Sequence, residues 1–102
     1  MSLKRIEITA TYNNLTSIQI EALRDEKISL YYTEEITGVM IVGEGNLWMA
    51  IEGDETTADA EVESLSLDSR FQDFDVPAEG AINSRKWSKC YSYYELETPK
   101  AT

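Results

Sequence analysis

The sequence predicts an α+β fold in which one mixed sheet carries two helices on one face. Three observations predict it: an opening strand of alternating residues, two apolar runs joined by a glycine-rich turn, and two segments whose apolar residues have helical spacing. The predicted order, β-α-β-β-α-β-β, suits one sheet covered by two helices. This is a ferredoxin-like layout, and by itself it carries no information about function.

The first strand and first helix have clear local signals. Residues 4–11 alternate, with Ile6 and Ile8 on one face, as expected for a strand with one buried side. Thr16 and Gln19 have the spacing of a capping box, which marks the start of a helix. Apolar residues at helical spacing predict its buried stripe: Ile20, Leu23 and Ile28, widened by Ile18 and Ala22.

A β-hairpin is predicted in the middle of the chain. The apolar runs 39–42 and 47–51 are joined by Gly43-Glu44-Gly45-Asn46, a turn rich in residues that tolerate positive φ. The two glycines also resemble part of a phosphate-binding loop. The hairpin is favoured because this segment joins two strands and opens no helix.

The second half of the chain contains the second predicted helix and the last two predicted strands. A second helix is predicted to begin at Asp54 or Thr56, with Ala58, Val62 and Leu65 as its inner face. A short strand is predicted over residues 74–76, ended by Pro77, and a last strand over residues 87–96. We expect one domain over residues 3–96 and a short disordered tail over residues 97–102.

The composition excludes several classes of protein. Nineteen acidic residues against nine basic ones give a net charge of −10, which repels nucleic-acid phosphates and anionic membranes. The absence of histidine excludes histidine-dependent triads and the usual zinc sites. Cys90 is the single cysteine, so no internal disulfide forms. No apolar run approaches the ~20 residues of a membrane span. We expect a cytoplasmic protein without metal, nucleic-acid or membrane partners.

From Leu15 onward the sequence resembles the BLUF family, whose members are blue-light sensors that bind FAD. The family pattern places a Thr-Gly pair before an inner strand and a Glu-Gly pair after the next one, as Thr37-Gly38 and Glu52-Gly53 stand here. Asp68-Ser69-Arg70 is similar to the family's Asp-Pro-Arg, and Ser84-Arg85-Lys86-Trp87 resembles the segment before the last strand. The resemblance covers residues 3–94.

The resemblance places residues of different chemistry at the family's flavin positions. The flavin-facing tyrosine of the first strand falls at Ile8, or at Glu7 under another alignment of the following loop. The glutamine that switches its hydrogen bonds in light falls at Met49. The asparagine at the flavin edge and the arginine two residues later fall at Tyr31 and Thr33.

The last strand departs from the family as well. Its tryptophan and methionine fall at Cys90 and Ser92, or at Trp87 and Lys89 if Trp87 is matched to that tryptophan. Arg70 is kept. The resemblance implies a photocycle that needs a phenol as electron and proton donor and an amide that reorganises hydrogen bonds. Isoleucine has no redox chemistry, and a thioether never donates a hydrogen bond.

We therefore predict a BLUF-fold protein that is degenerate and non-photoactive, with no FAD and no catalytic residues. It would act as a protein-interaction or regulatory module through a protein partner or self-association. Because the chain ends soon after its last strand, its own surface is expected to carry the output. The alternative is a divergent FAD-binding blue-light or redox sensor of this family, whose flavin would be lined by the positions just described: Ile8, Tyr31, Thr33, Met49 and Arg70.

Three further hypotheses are open at this point. Met40, Trp48 and Met49 line either a vacated ligand pocket or a refilled apolar core, and the core is favoured because voids destabilise proteins. The aromatic residues of the last strand form either a partner site or a half-buried strand. An acylphosphatase-like hydrolase would need an arginine in the loop after the first strand, and residues 12–14 contain none. Glu52 is expected to serve the turn into the second helix.

Overall fold

The computed structural model describes residues 2–94, which form a five-stranded mixed sheet and two α-helices. In chain order the elements are β1 (Leu3–Thr11), α1 (Ser17–Glu34), β2 (Thr37–Gly43), β3 (Asn46–Asp54), α2 (Glu55–Ser66), β4 (Gln72–Ile82) and β5 (Cys90–Tyr94). The strand order in the sheet is β4-β1-β3-β2-β5. β5 runs parallel to β2, and the other neighbours are antiparallel. The predicted α+β, ferredoxin-like layout is confirmed.

Both helices pack on the same face of the sheet. Ile6 and Ile8 of β1 are fully buried, and their register partners on β3 are Ile51 and Met49. The next strand, β2, places Met40 beside Met49. These side chains share one core cluster with residues from both helices: Leu23 and Tyr31 of α1, and Ala58 and Leu65 of α2. Within residues 2–94, neither helix has an apolar stretch long enough to cross a membrane.

The start of α1 agrees with the sequence, but its buried stripe differs. The Thr16 hydroxyl accepts a hydrogen bond from the Gln19 amide at 3.1 Å, and the Gln19 side chain accepts one from the Thr16 amide at 2.8 Å. The buried positions are Leu23, Lys27 and Tyr31. Ile20 and Ile28 are half-buried, while Ile18 and Ala22 are exposed, so the predicted widening of the stripe was wrong. The stripe passes instead through a lysine whose charge is paired inside the protein.

The central hairpin forms as predicted. Gly43 and Asn46 pair across it, and the two residues between them, Glu44 and Gly45, have φ values of 51° and 80°. Positive φ at both central positions is the type I′ geometry that matches the twist of the flanking strands. Asp54 occupies the N-cap position of α2, as expected, although its side chain makes no capping hydrogen bond.

The last two strands differ from the predicted ones. β4 spans eleven residues and continues through Pro77, so the prediction of a short strand ending there was wrong. An edge strand tolerates proline, and the β1–β4 register shifts by one residue between the Glu7–Ala78 and Thr9–Asp75 pairs, beside Pro77. β5 begins at Cys90, later than the predicted Trp87. The predicted end of this strand at residue 96 and the tail over 97–102 lie outside the described residues.

Candidate functional site between the two helices

The structure brings three of the five family flavin positions together. Ile8 and Met49 are neighbours across β1 and β3, and they share one buried cluster with Tyr31 at the end of α1. Each of the three is no more than 1% exposed. Thr33 lies exposed on α1, where its hydroxyl donates to the Ser29 carbonyl at 3.2 Å. Arg70 follows α2 and lies outside this cluster.

Two charged residues that the sequence analysis missed complete this region. Lys27 of α1 and Glu61 of α2 are both 4% exposed, and the Lys27 Nζ atom lies 2.8 Å from Glu61 Oε2. The Tyr31 hydroxyl donates to the same carboxylate oxygen at 2.6 Å. We call Lys27, Tyr31 and Glu61 the interhelical triad, because it joins the two helices above the sheet.

The sequence held a signal for this triad. Lys27 lies four residues after Leu23 and four before Tyr31, which places it on the buried stripe of α1. Glu61 lies three residues after Ala58 and four before Leu65 on the inner face of α2. Charged residues at core positions of two helices are almost never fully buried unless they are paired. That spacing indicates that both charges are buried and paired.

The triad is electrostatically self-contained. One cation meets one carboxylate, and the phenol stays neutral because burial, together with the Glu61 carboxylate, raises the pKa of Tyr31 well above its ordinary value. The Lys27 ammonium also lies 6.0 Å from the centre of the Tyr31 ring. The Lys27 ammonium and the Tyr31 hydroxyl therefore share one carboxylate oxygen of Glu61 in the space between the helices.

Arg70 makes structural contacts in this protein. Its guanidinium binds Asp68 at 2.6 Å and Glu26 of α1 at 3.3 Å. The hydrogen bonds from Arg70 lower the pKa of Asp68, which keeps that carboxylate charged. Arg70 thus ties the segment after α2 to the middle of α1.

Glu52 lies on the sheet face opposite the helices and has a different role from the one expected. Its carboxylate is completely buried and binds Arg5 at 2.8 Å and the backbone amides of Lys86 and Trp87 at 2.9 and 3.2 Å. The expectation that it serves the turn into α2 was wrong, because the carboxylate binds Arg5 of β1 and the segment before β5. We call these four residues the Glu52 clamp. The clamp holds the segment before β5 over the sheet face opposite the helices, which we call the open face. The Arg5 guanidinium lies 5.8 Å from the centre of the Trp87 ring.

The three residues predicted to line a vacated pocket are separated by the sheet. Met40 and Met49 are buried in the core under the helices, so the refilled core favoured from the sequence is present. Trp48 faces the opposite side, where it lines an open cavity of about 470 Å³ near the hairpin turn with Asn46 and Asp73. No group of three or more potential metal ligands occurs within residues 2–94.

Comparison with known families identifies the fold. The family model described as BLUF, sensors of blue-light using FAD, matches residues 4–92. This chain therefore belongs to the BLUF family, and the resemblance found in the sequence is confirmed. No curated protein matches the chain.

Solved structures agree with this assignment at the level of fold. A bacterial light-regulated adenylyl cyclase has a TM-score of 0.85 at 17% identity, with 97% of this chain and 30% of the cyclase covered. BlrB, a BLUF protein in its dark state, has a TM-score of 0.78 at 17% identity, with 90% and 73% covered. BlrP1 of Klebsiella pneumoniae has a TM-score of 0.83 at 14% identity, with 93% and 66% covered. This chain spans less than a third of the cyclase.

The residues present do not fit a flavin at the family's position. Ile8 and Met49 offer aliphatic and thioether surfaces where an isoalloxazine needs hydrogen-bonding partners. The Lys27 ammonium and the Tyr31 hydroxyl are already bound to Glu61 Oε2. The side chains there are closely packed and almost fully buried. Flavin binding would require α1 and α2 to separate.

Proposed function

We propose that this chain is a BLUF domain without flavin photochemistry, which works as a protein-interaction or regulatory module by binding a protein partner or a second copy of itself. The observation that carries this proposal is the interhelical triad, which closes the space between the helices at the family's flavin position. We further propose that the protein acts in the cytoplasm and has no catalytic activity of its own. Turnover in a screen of phosphate esters would contradict that last point.

The chemistry of the closed site supports the absence of a photocycle. Neither Ile8 nor Met49 donates an electron, a proton or a hydrogen bond. The nearby phenol, Tyr31, already donates to Glu61 and is held in its protonated form. At Ile8 and Met49 no polar groups are present for a light-driven exchange of hydrogen bonds.

The energetic cost of admitting a flavin also supports the proposal. Separating the helices would break the buried Lys27–Glu61 pair, and a flavin that left either charge buried without its partner would cost about 3–5 kcal/mol. That cost alone lowers affinity by roughly 10²- to 10⁴-fold. Flavin edges left without partners at Ile8 and Met49 would lower it further.

The open face of the sheet supports an interaction role. Ile41 of β2 and Tyr91 of β5 are 37% and 38% exposed, although the two strands pair with each other in the sheet. Ile41 pairs in register with Trp48, which is half-buried on the same face. Exposed apolar and aromatic side chains that lie together on one face of a sheet are typical of protein-interaction sites.

Absorption spectroscopy tests the proposed loss of flavin. Protein purified in parallel with the BLUF protein BlrB is incubated with FAD, passed through gel filtration, and measured in the blue before and after illumination. We expect BlrB to keep a flavin band and this protein to show none. A retained flavin band would contradict the proposal, and a light-induced red shift would establish the alternative, a divergent FAD-binding blue-light or redox sensor.

Matched surface variants test the interaction role. Ile41→Glu places a charge on the open face, while Ile18→Glu places the same charge on an equally apolar position that is 76% exposed on α1. We expect Ile41→Glu alone to abolish self-association in analytical ultracentrifugation, or to abolish capture of a partner purified with the wild-type protein. If both variants behave like wild type, the open face is not the interaction surface.

A further inference from the structure

A second concave site lies on the outer side of α1, away from α2. It is an open cavity of about 600 Å³ between the C-terminal part of α1, the start of β2 and the segment that leads into β5. We call it the α1–β5 groove. Its size lies within the range of roughly 300–1,000 Å³ that is usual for small-molecule sites.

The floor and one wall of this groove are apolar and aromatic. Ile28 and Ile36 contribute aliphatic surface, and the Tyr31 ring closes the inner end while its hydroxyl is bonded to Glu61. Tyr32 lines the groove as well and is 86% exposed. A tyrosine ring this exposed beside an apolar floor gains contact area when a flat apolar molecule binds against it.

The opposite rim is cationic. The Arg85 guanidinium is held in place by hydrogen bonds from Nη1 to the Thr37 hydroxyl at 2.8 Å and to the Glu52 carbonyl at 2.9 Å. Lys89 is exposed, and within residues 2–94 its ammonium has no carboxylate partner. Glu35 is the one acidic residue among those lining the groove. This rim is locally positive in a protein whose net charge is −10.

Cys90 supplies a natural reporter in the wall of the groove. It is half-buried and free, and burial raises the pKa of its thiol. The group is therefore a neutral thiol near pH 7, and its accessibility depends on whether the groove is occupied.

We propose that the α1–β5 groove binds a small amphipathic organic anion, an aromatic body that carries one carboxylate or sulfonate. The aromatic body packs on Ile28, Ile36 and the ring of Tyr32, and the anionic group lies at Arg85 and Lys89. The groove shares Tyr31 and Cys90 with the family's flavin positions but does not include Ile8 or Met49, and the anionic group is held at Arg85 and Lys89 instead.

The test uses 8-anilinonaphthalene-1-sulfonate as the probe in a fluorescence titration of the full chain. We expect saturable binding of one probe per chain. N-phenyl-1-naphthylamine, which lacks the sulfonate, is expected to bind at least about 10-fold more weakly, since a charge-assisted contact contributes ~1.5–3 kcal/mol. Equal binding of the two probes would overturn the anionic part of the proposal.

Matched variants locate the bound probe. Tyr32→Ser and Arg85→Lys are expected to weaken binding several-fold, whereas Leu67→Ser, at a position 77% exposed after the other helix, is expected to leave it unchanged. Circular dichroism checks that each variant is folded. Should Arg85→Lys fail to fold, Lys89→Gln at the exposed rim takes its place, with a smaller expected loss of about 2–5-fold. Binding that is unaffected by all groove variants would overturn the site.

Cys90 gives a second, independent readout. The probe is expected to slow alkylation of the native protein by iodoacetamide, and prior alkylation is expected to abolish probe binding. If the alkylation rate is the same with and without saturating probe, the molecule binds elsewhere and the proposal fails.

Discussion

Lys27 and Glu61 are each buried, so each depends on the other. Glu61→Leu would leave the Lys27 ammonium without its carboxylate, and we expect a loss of about 3–5 kcal/mol in the free energy of unfolding. The triple variant Lys27→Met, Tyr31→Phe, Glu61→Leu removes every polar group of the triad together and is expected to recover most of that loss. Urea denaturation measures both. A triple variant as unstable as Glu61→Leu would show that packing, and not charge, sets the cost.

The Tyr31 phenol makes stability sensitive to alkaline pH. Its folded-state pKa is raised above the ordinary value near 10, so the folded protein keeps a proton that the unfolded chain loses. The contribution of the protonated phenol to the free energy of unfolding is complete below pH ~10 and is lost as the pH rises above that value. We expect Tyr31→Phe to shift the alkaline unfolding midpoint and to remove one phenolate from the absorbance change that accompanies unfolding. An unchanged amplitude would show that Tyr31 ionises in the native state.

Only part of the candidate site could be predicted from the sequence. The substitutions at Ile8 and Met49 were visible because a family pattern fixed which positions to inspect. The Lys27–Glu61 pair was missed because its members are 34 residues apart and meet only when two helices dock. The predicted inner faces of the helices contained neither residue, and spacing alone does not say which charge on one helix faces which on the other.

At the scale of elements, the start of β2 depends on a glycine. Gly38 has a φ of 151°, and a Cβ atom built there would lie 1.9 Å from the Ala50 carbonyl oxygen of β3. We expect Gly38→Ala to destabilise the protein by about 3–5 kcal/mol through backbone strain and steric overlap. Gly80→Ala on β4 is the control, since no atom outside the adjacent residues lies within 4 Å of its Cβ position. Thermal denaturation compares them; equal midpoints would show that β2 shifts to accommodate the methyl group.

The Glu52 clamp controls the segment between β4 and β5. Glu52→Gln removes the charge that binds Arg5 and weakens the bonds from the Lys86 and Trp87 amides, which costs about 1.5–3 kcal/mol. We expect faster cleavage by trypsin after Arg85 and Lys86. Glu55→Gln, at an exposed position in α2, is the control. Unchanged cleavage in Glu52→Gln would mean that other contacts hold the segment.

The sequence predicted correctly those structures that neighbouring residues determine. The capping box at Thr16 and the hairpin turn at Glu44-Gly45 formed as expected, because neighbouring residues decide both structures. The length of β4 was not predictable in the same way. Pro77 ends a strand inside a sheet but not at an edge, and the position of β4 at an edge follows only from the complete strand order.

On the scale of the whole molecule, the net charge of −10 opposes folding by self-repulsion. We expect sodium chloride to raise the thermal midpoint by screening that repulsion. Glu63→Lys, at an exposed position of α2, makes the net charge less negative and is expected to flatten the salt dependence. A midpoint that falls with salt in the wild-type protein would show that surface ion pairs such as Lys4–Asp59 outweigh the repulsion.

The two edge strands of the sheet, β4 and β5, differ in charge and in the backbone groups they expose. On one side β4 carries Asp73, Asp75, Glu79 and Pro77, so an incoming strand would meet negative charge and a missing amide donor. On the other side, within residues 2–94, β5 pairs with β2 alone and its outer backbone groups face away from the sheet. Among the described residues, strand addition is therefore opposed at β4 and open at β5. Two copies joined through β5 would present β4 at both ends, and growth would stop at a dimer instead of continuing into a fibre.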